Sequence, residues 1–371
     1  MKKLMIYSGA LCLIVGLTLG YGSVSAQAAE PVSVGLIVNL TGTDVKTSVE
    51  LMRGVEIGVE EINASGGIKG RPLKLIVEDS EYRQQAALDS ATKLYEVDQV
   101  EVALMFGGSS LMIPVAKMVE QKGKLLINTS SSSPKLGEFK GTLYSLLPLD
   151  DMIGRKLGHW VAAKGVKTAS VVVPNNTFGV GLMDSMIAGF EEKGGTILRK
   201  VAYTEGQPDY RADMQTVVQS NPEGIFSAGY GDDTRTIFKN ARQLGLEAAW
   251  YAAYPEIFVI EDEKWMDGRF MGIDNAGTSL ESAKAVKAKY KEKYTDDPYA
   301  HVFYGYDAIW VVALAMRAGG VSADEIRANL GKVIEDYDGA TGKVKWDDRG
   351  QRIDPPTVFT KFTGGKFEMI K

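Results

Sequence analysis

The sequence predicts an α/β protein made of two similar doubly wound parallel-sheet lobes. Three observations predict it. After residue 30, short apolar runs alternate with helical patterns, as in a parallel sheet with crossover helices. That series runs through about four βα units and then begins again, with a boundary near Leu146-Leu147-Pro148. The chain has 371 residues, 45% hydrophobic and 24% charged, enough for substantial cores and too evenly composed for disorder.

The elements follow in order. Val32–Val38 is a continuous apolar strand ending at Asn39. Met52, Val55, Val59 and Ile62 recur at helical spacing until Gly66-Gly67 stops the helix. Leu73–Val77 is the second strand, and Leu88, Ala91 and Leu94 share one helical face. Val102–Phe106 and Leu125–Ile127 are the third and fourth strands. Between them Pro114–Gln121 is helical, with Pro114 suited to a first turn. The second series has strands at Ala169–Val173, Ile197–Tyr203, Gly224–Ser227 and Ala249–Tyr251. Its helices lie around Met183–Glu192, Ala212–Gln219 and Thr234–Leu244. A long helix at Ala283–Tyr294, a very apolar one at Tyr306–Ala318 and a strand at Thr357–Phe362 read as a tail that returns to complete the two lobes.

Residues 1–28 read as a secretory signal peptide. Lys2 and Lys3 precede the largely apolar stretch Leu4 to Leu19, and Ala26-Gln27-Ala28 supplies a small-x-small cleavage site. Gly9, Gly16, Gly20 and Gly22 interrupt a span already short for an anchoring helix. The expected address is the periplasm. Composition narrows the function further. The formal charge of −5, without a basic block, argues against a nucleic-acid partner. The one cysteine, Cys12, lies inside the leader, and there are only two histidines, His159 and His301. No disulfide framework can form, and a Cys/His zinc site lacks ligands. No GxxxxGK[S/T], complete GxGxxG or G-x-S-x-G occurs, so no cofactor and no enzymatic activity are expected.

In open α/β sheets, ligands bind beyond the carboxyl ends of the strands. Two such ends carry small hydroxyl-rich turns, Gly107-Gly108-Ser109-Ser110 and Asn128-Thr129-Ser130-Ser131-Ser132-Ser133-Pro134. Free N–H groups, serine hydroxyls and a helix N-terminus together suit a carboxylate. Serines that merely cap helices are the competing reading.

GGIKGRPLKLIVED at 66–79, after the helix GVEIGVEEINAS, resembles the start of the leucine/isoleucine/valine-binding family of periplasmic solute receptors. The likeness continues through ALDSATKL, both serine turns, NTFGVGLMDSM at 176–186, ARQLGL at 241–246, GYDAIW at 305–310 and TGKVKWDDRGQRIDPP at the end. It implies a type I periplasmic binding protein fold: two lobes joined by three crossovers, with solute in the interlobe cleft. Lobe 1 would be 31–148 plus 276–352, and lobe 2 would be 149–275 plus 353–371. It further implies a monomer that passes an amino acid, with a branched-chain or other small apolar side chain, to an ABC permease in the inner membrane.

Carried over residue by residue, the family's carboxylate-binding serine falls on Ser109, with Ser110 beside it. The second turn falls on Ser130, offering a carbonyl, and Ser132, offering a hydroxyl and an N–H. The acid that meets the ligand's ammonium falls on Glu256 in AAYPEIF, and two aromatic positions fall on Phe178 and Tyr230. Thr47 and Phe178 stand where the branched-chain receptors have tyrosines, and His301 falls near a phenylalanine position. The family's cysteine pair is absent. Each residue also has a plainer reading: a solvated loop acid for Glu256, core packing for Phe178 and Tyr230, a helix-start acid for Asp307. His159 reads as a surface or packing histidine, and His301 as either cleft wall or lobe surface. Two alternatives stay open. One is a receptor for an aromatic or aliphatic carboxylate, or an amide or urea, without the α-ammonium. The other is a sensory ligand-binding module.

Overall fold

Each apolar run read as a strand forms one. The computed structural model describes residues 30–276, 280–353 and 355–370, so the leader expected at 1–28, with Cys12, lies outside the described residues. β1 (Val32–Val38), β2 (Leu73–Asp79), β3 (Val102–Met105), β4 (Leu125–Asn128) and β5 (Leu143–Ser145) form one parallel sheet in the order β2-β1-β3-β4-β5. β6 (Thr168–Pro174), β7 (Thr196–Tyr203), β8 (Gly224–Ser227), β9 (Ala249–Ala253) and β10 (Phe270–Asn275) repeat that order as β7-β6-β8-β9-β10, again parallel. After a short hairpin of β11 (Asp338–Gly339) and β12 (Gly342–Lys343), β13 (Thr357–Thr363) and β14 (Lys366–Ile370) extend the second sheet antiparallel beyond β10.

Each series therefore holds five parallel strands rather than about four. β5 is three residues long and β10 reads FMGIDN, too short or too polar to stand out as an apolar run. β3 and β4, by contrast, are buried at every position, as strands covered on both faces should be.

The returning tail fills the first core. Ile309, Val312 and Met316 of helix Ala300–Ala318 pack with Val34 and Leu36 of β1 and with Leu51 and Val55 of helix Val45–Ala64. The two helices touch through Gly54, where a methyl group would lie 1.9 Å from the Val302 carbonyl oxygen. Helix Ala300–Ala318 is apolar on nearly every face because it is enclosed on nearly every face. Among the described residues, no helix is long and apolar enough to cross a membrane.

Two helix starts differ from the sequence reading. Helix Ser109–Gln121 begins in the serine turn itself, which leaves Pro114 in the second turn. The apolar helix begins at Ala300, so Asp307 lies two turns inside it and is no helix-start acid. Its role is structural all the same. Fully buried, Asp307 accepts hydrogen bonds from Tyr337 Oη (2.7 Å), the Ala340 and Thr341 amides (2.7 and 2.8 Å) and Thr341 Oγ1 (2.5 Å). Arg352, 1% exposed, donates to the carbonyls of Leu146 (2.7 Å), Thr341 (2.8 Å) and Lys343 (3.1 Å), tying the chain after β5 to the segment around β12. His159, read as a surface or packing histidine, is half-buried with Nε2 2.7 Å from Glu192 Oε2.

Candidate functional site

Both sheets run 2-1-3-4-5, so the strand order reverses beside the first strand of each, and the cleft opens at those carboxyl ends. It encloses about 540 Å³. The first sheet contributes the segments after all five of its strands, the second those after β6, β8, β9 and β10, and the returning tail adds residues between Tyr299 and Tyr304. Ser109, Ser110, Ser130, Ser132, Phe178, Tyr230 and Glu256 all line it, together with Thr47 and His301. His301 is thus a cleft-wall residue, edge-on to Phe106 at 5.5 Å between ring centres.

The two serine turns are stitched into one surface. Ser130 Oγ accepts from the Gly107 amide (2.8 Å) and donates to the Gly107 carbonyl (2.9 Å), and Ser131 Oγ donates to that same carbonyl (2.6 Å). Asn128 clamps the second turn from inside, its Nδ2 on the Ser131 carbonyl (2.6 Å) and its Oδ1 on the Ser131 amide (2.8 Å). Ser109 Oγ accepts from the Ser133 amide (3.2 Å), which leaves its proton to be donated elsewhere. Ser109 also opens a thirteen-residue helix, whose first amides have no partner within the helix. The second turn leads only into the five-residue 3-10 helix Pro134–Glu138, so the dipole contribution comes from the first turn.

Ser132 lines the cleft with its hydroxyl already engaged within the protein. Its hydroxyl donates to Asp150 Oδ2 at 2.9 Å, and Asp150 Oδ1 takes the Tyr254 hydroxyl at 3.2 Å. Asp150 is wholly buried, and desolvation holds its carboxyl well above the usual range. Sequence reasoning missed both Asp150 and Tyr254. Asp150 looks like an ordinary acid in the first turn of helix Asp150–Ala163, and its partners are 18 and 104 residues away.

The opposite wall is aromatic and acidic. Phe178 lies 6.1 Å from Tyr230 and 6.5 Å from Tyr254, ring centre to ring centre. Asn176 caps the helix carrying Phe178 by accepting from the Gly179 amide (2.9 Å), and it donates to Tyr230 Oη (2.9 Å). Tyr230 in turn donates to Glu205 Oε1 (2.6 Å), so the ring is fixed at its outer end. Glu256 sits in the 3-10 turn Pro255–Ile257, held in place by Tyr254 in the left-handed region (φ 54°). Its carboxyl is reachable from the cleft, yet enough protein surrounds it to raise its proton affinity. Behind it, Asp274 is pushed up to about 7, first by burial and then by the charge of Glu256. Among the described residues, this wall therefore has a surplus of acceptors and no cationic side chain.

A family model described as periplasmic binding protein matches residues 31–366. The chain belongs to the periplasmic binding protein family. This is a family of binding proteins and not of enzymes. Over its full length, and the full length of its relative, the chain is 24% identical to an amino acid binding protein of Pseudomonas aeruginosa. Its fold matches a leucine binding protein from Thermotoga maritima with a TM-score of 0.83 at 23% identity, covering 92% of this chain and 98% of the other. A solute binding protein of an ABC transporter from R. palustris, solved with benzoate, has a TM-score of 0.79 at 16% identity, with 92% and 95% covered. Identities this low establish the two-lobed α/β fold of a periplasmic binding protein and leave the solute open.

Proposed function

We propose that this periplasmic binding protein is the exported solute receptor of an ABC importer and that its cleft takes an amino acid. One observation supports the amino acid above all: serine hydroxyls and helix amides on one side of the cleft face an uncompensated carboxylate, Glu256, on the other. A zwitterionic head group satisfies both at once. Its carboxylate would take the Ser109 hydroxyl and the amides of the first turn, and its ammonium would meet Glu256.

The lobes are taken as 31–148 plus 276–352 and 149–275 plus 353–371, closing about their crossings. Solute held by groups from both lobes binds the closed form more tightly and so shifts the balance toward it. The closed form of a monomer is then what an inner-membrane permease reads.

The aromatic wall of Phe178, Tyr230 and Tyr254 favours a second reading, a receptor for an aromatic carboxylate like the benzoate in the R. palustris complex. Melting curves with a panel of amino acids, their desamino analogues and benzoate separate the two. A ligand at 100 times its dissociation constant adds ~2.7 kcal/mol of stability. Stabilisation by amino acids and not by benzoate supports the first reading, and the reverse supports the second.

A further inference from the structure

Among the described residues lining the cleft, Asp44, Glu50, Glu256 and Asp274 carry carboxylates, and Lys46 alone carries an amine. His301 does not redress the balance, because burial lowers it to about 4 and keeps it neutral. Even with Asp274 protonated up to about pH 7, Asp44, Glu50 and Glu256 outnumber Lys46, and a zwitterionic amino acid, with one charge of each sign, leaves that surplus as it was.

Glu50 gives the surplus a location. It is the sixth residue of helix Val45–Ala64, beyond the first turn where the helix dipole would help it, and it is only 3% exposed. Among the described residues its carboxylate has neither a hydrogen-bond nor an ion-pair partner. The charges that reach it are Lys46, Asp296, Arg53 and Asp44, two of each sign. Lys46, one turn earlier on the same face, is exposed and stays beyond ion-pair distance. Arg53 is committed to Tyr290 Oη (2.8 Å) and to Asp296 (3.1 Å). A carboxylate on the cleft wall loses its water when solute closes over it, which is costly unless a cation joins it.

Glu50 also shares its end of the cleft with the other acids. Tyr299, a lining residue, feels the charges of Glu256, Asp274 and Glu50 together. Asn275 adds an enclosed Oδ1 acceptor with no partner among the described residues. Glu50 and Asn275 thus place two acceptors without partners among the described residues on this wall.

We infer that the solute carries a second positive group, received by Glu50, and is therefore an amino acid whose side chain ends in an amine or a guanidinium. This rests on the amino-acid reading above: Glu256 meets the α-ammonium and Glu50 the distal cation. It departs from the small apolar side chain that the sequence resemblance implies. A cleft of about 540 Å³ accommodates the longer side chain.

Calorimetric titration of wild type and Glu50→Gln with L-lysine, L-ornithine, L-arginine, L-norleucine and benzoate tests it. Norleucine is lysine's chain without the terminal amine. At least one cationic amino acid should bind the wild type about thirtyfold or more tighter than norleucine, the lower bound for loss of one member of a buried charge pair. Glu50→Gln should abolish that preference and leave norleucine unchanged. It should also raise the melting temperature of unliganded protein, since it removes an unpartnered charge. If the variant does not fold, the wild-type comparison decides alone. Norleucine binding as tightly as the three cations, or a preference that survives Glu50→Gln, overturns the inference and leaves the amino-acid reading standing. Benzoate binding with no amino acid bound overturns both, and no binding by any of the three cations overturns the inference.

Discussion

Ser132, on the second serine turn, donates its hydroxyl to Asp150 at 2.9 Å, and Asp150 opens the helix that leads into the second sheet. Tyr254, at the end of β9, completes the contact from the other side at 3.2 Å. One buried carboxyl thus ties the second serine turn, after β4, to the segment after β9. The Ser132 hydroxyl, on a residue that lines the cleft, is engaged in a contact between the two halves of the molecule.

Ser132→Ala should therefore behave as a stability variant. Removing one partner of a buried carboxyl costs about 1–3 kcal/mol. Denaturant unfolding should show that loss, and a stability equal to wild type would contradict the role given to Ser132.

Ser109→Ala should do the reverse. Its hydroxyl accepts one amide within the protein and has a proton left for solute. A hydrogen bond to a charged group is worth about 1.5–3 kcal/mol, so affinity should fall at least about tenfold, with little change in melting temperature. Unchanged affinity in calorimetric titration would remove the first turn from the carboxylate site.

Arg352→Met should be among the most destabilising substitutions in the chain. Methionine fills much of the space but leaves the carbonyls of Leu146, Thr341 and Lys343 without donors. Each stranded group costs about 1–3 kcal/mol, so a total loss above ~3 kcal/mol is expected. Unfolding within 1 kcal/mol of wild type would contradict it; that threshold is of the order of a single net hydrogen bond.

The pH dependence of unliganded stability follows from Asp274. Its carboxyl holds a proton up to about pH 7 in the folded chain, against about 3.9 unfolded. The folded state therefore binds the extra proton between those values. This contribution is complete below the unfolded value and is lost as pH rises through about 7. The gap of about three pH units caps the loss at ~4 kcal/mol. The melting temperature should fall from about pH 4 to about pH 7 and level off above, and Asp274→Asn should flatten the slope. A variant with the wild-type slope would show that another group titrates there.

Much of this fold is legible in the sequence because parallel strands buried on both faces read as unbroken apolar runs. Val32–Val38 and Gly224–Ser227 have the bounds expected of them. β5 and β10 escape because an edge strand of three residues and a strand reading FMGIDN carry little apolar signal. Helix Ala323–Glu335 was within reach, since Ser322 and Glu325 form a capping box at its start. The cleft residues on the serine turns stand out as a local pattern. Asp150 and Glu50 do not, because each is an ordinary acid in a helix until distant segments bury it.

The most direct measurement compares a bound amino acid with its own desamino analogue on wild type and on Glu256→Gln. If Glu256 receives the α-ammonium, wild type should prefer the amino acid, and Glu256→Gln should weaken it by about 2–5 kcal/mol while changing the desamino acid little. A wild type that binds the desamino acid more tightly, with Glu256→Gln affecting both alike, would contradict the amino-acid head-group site.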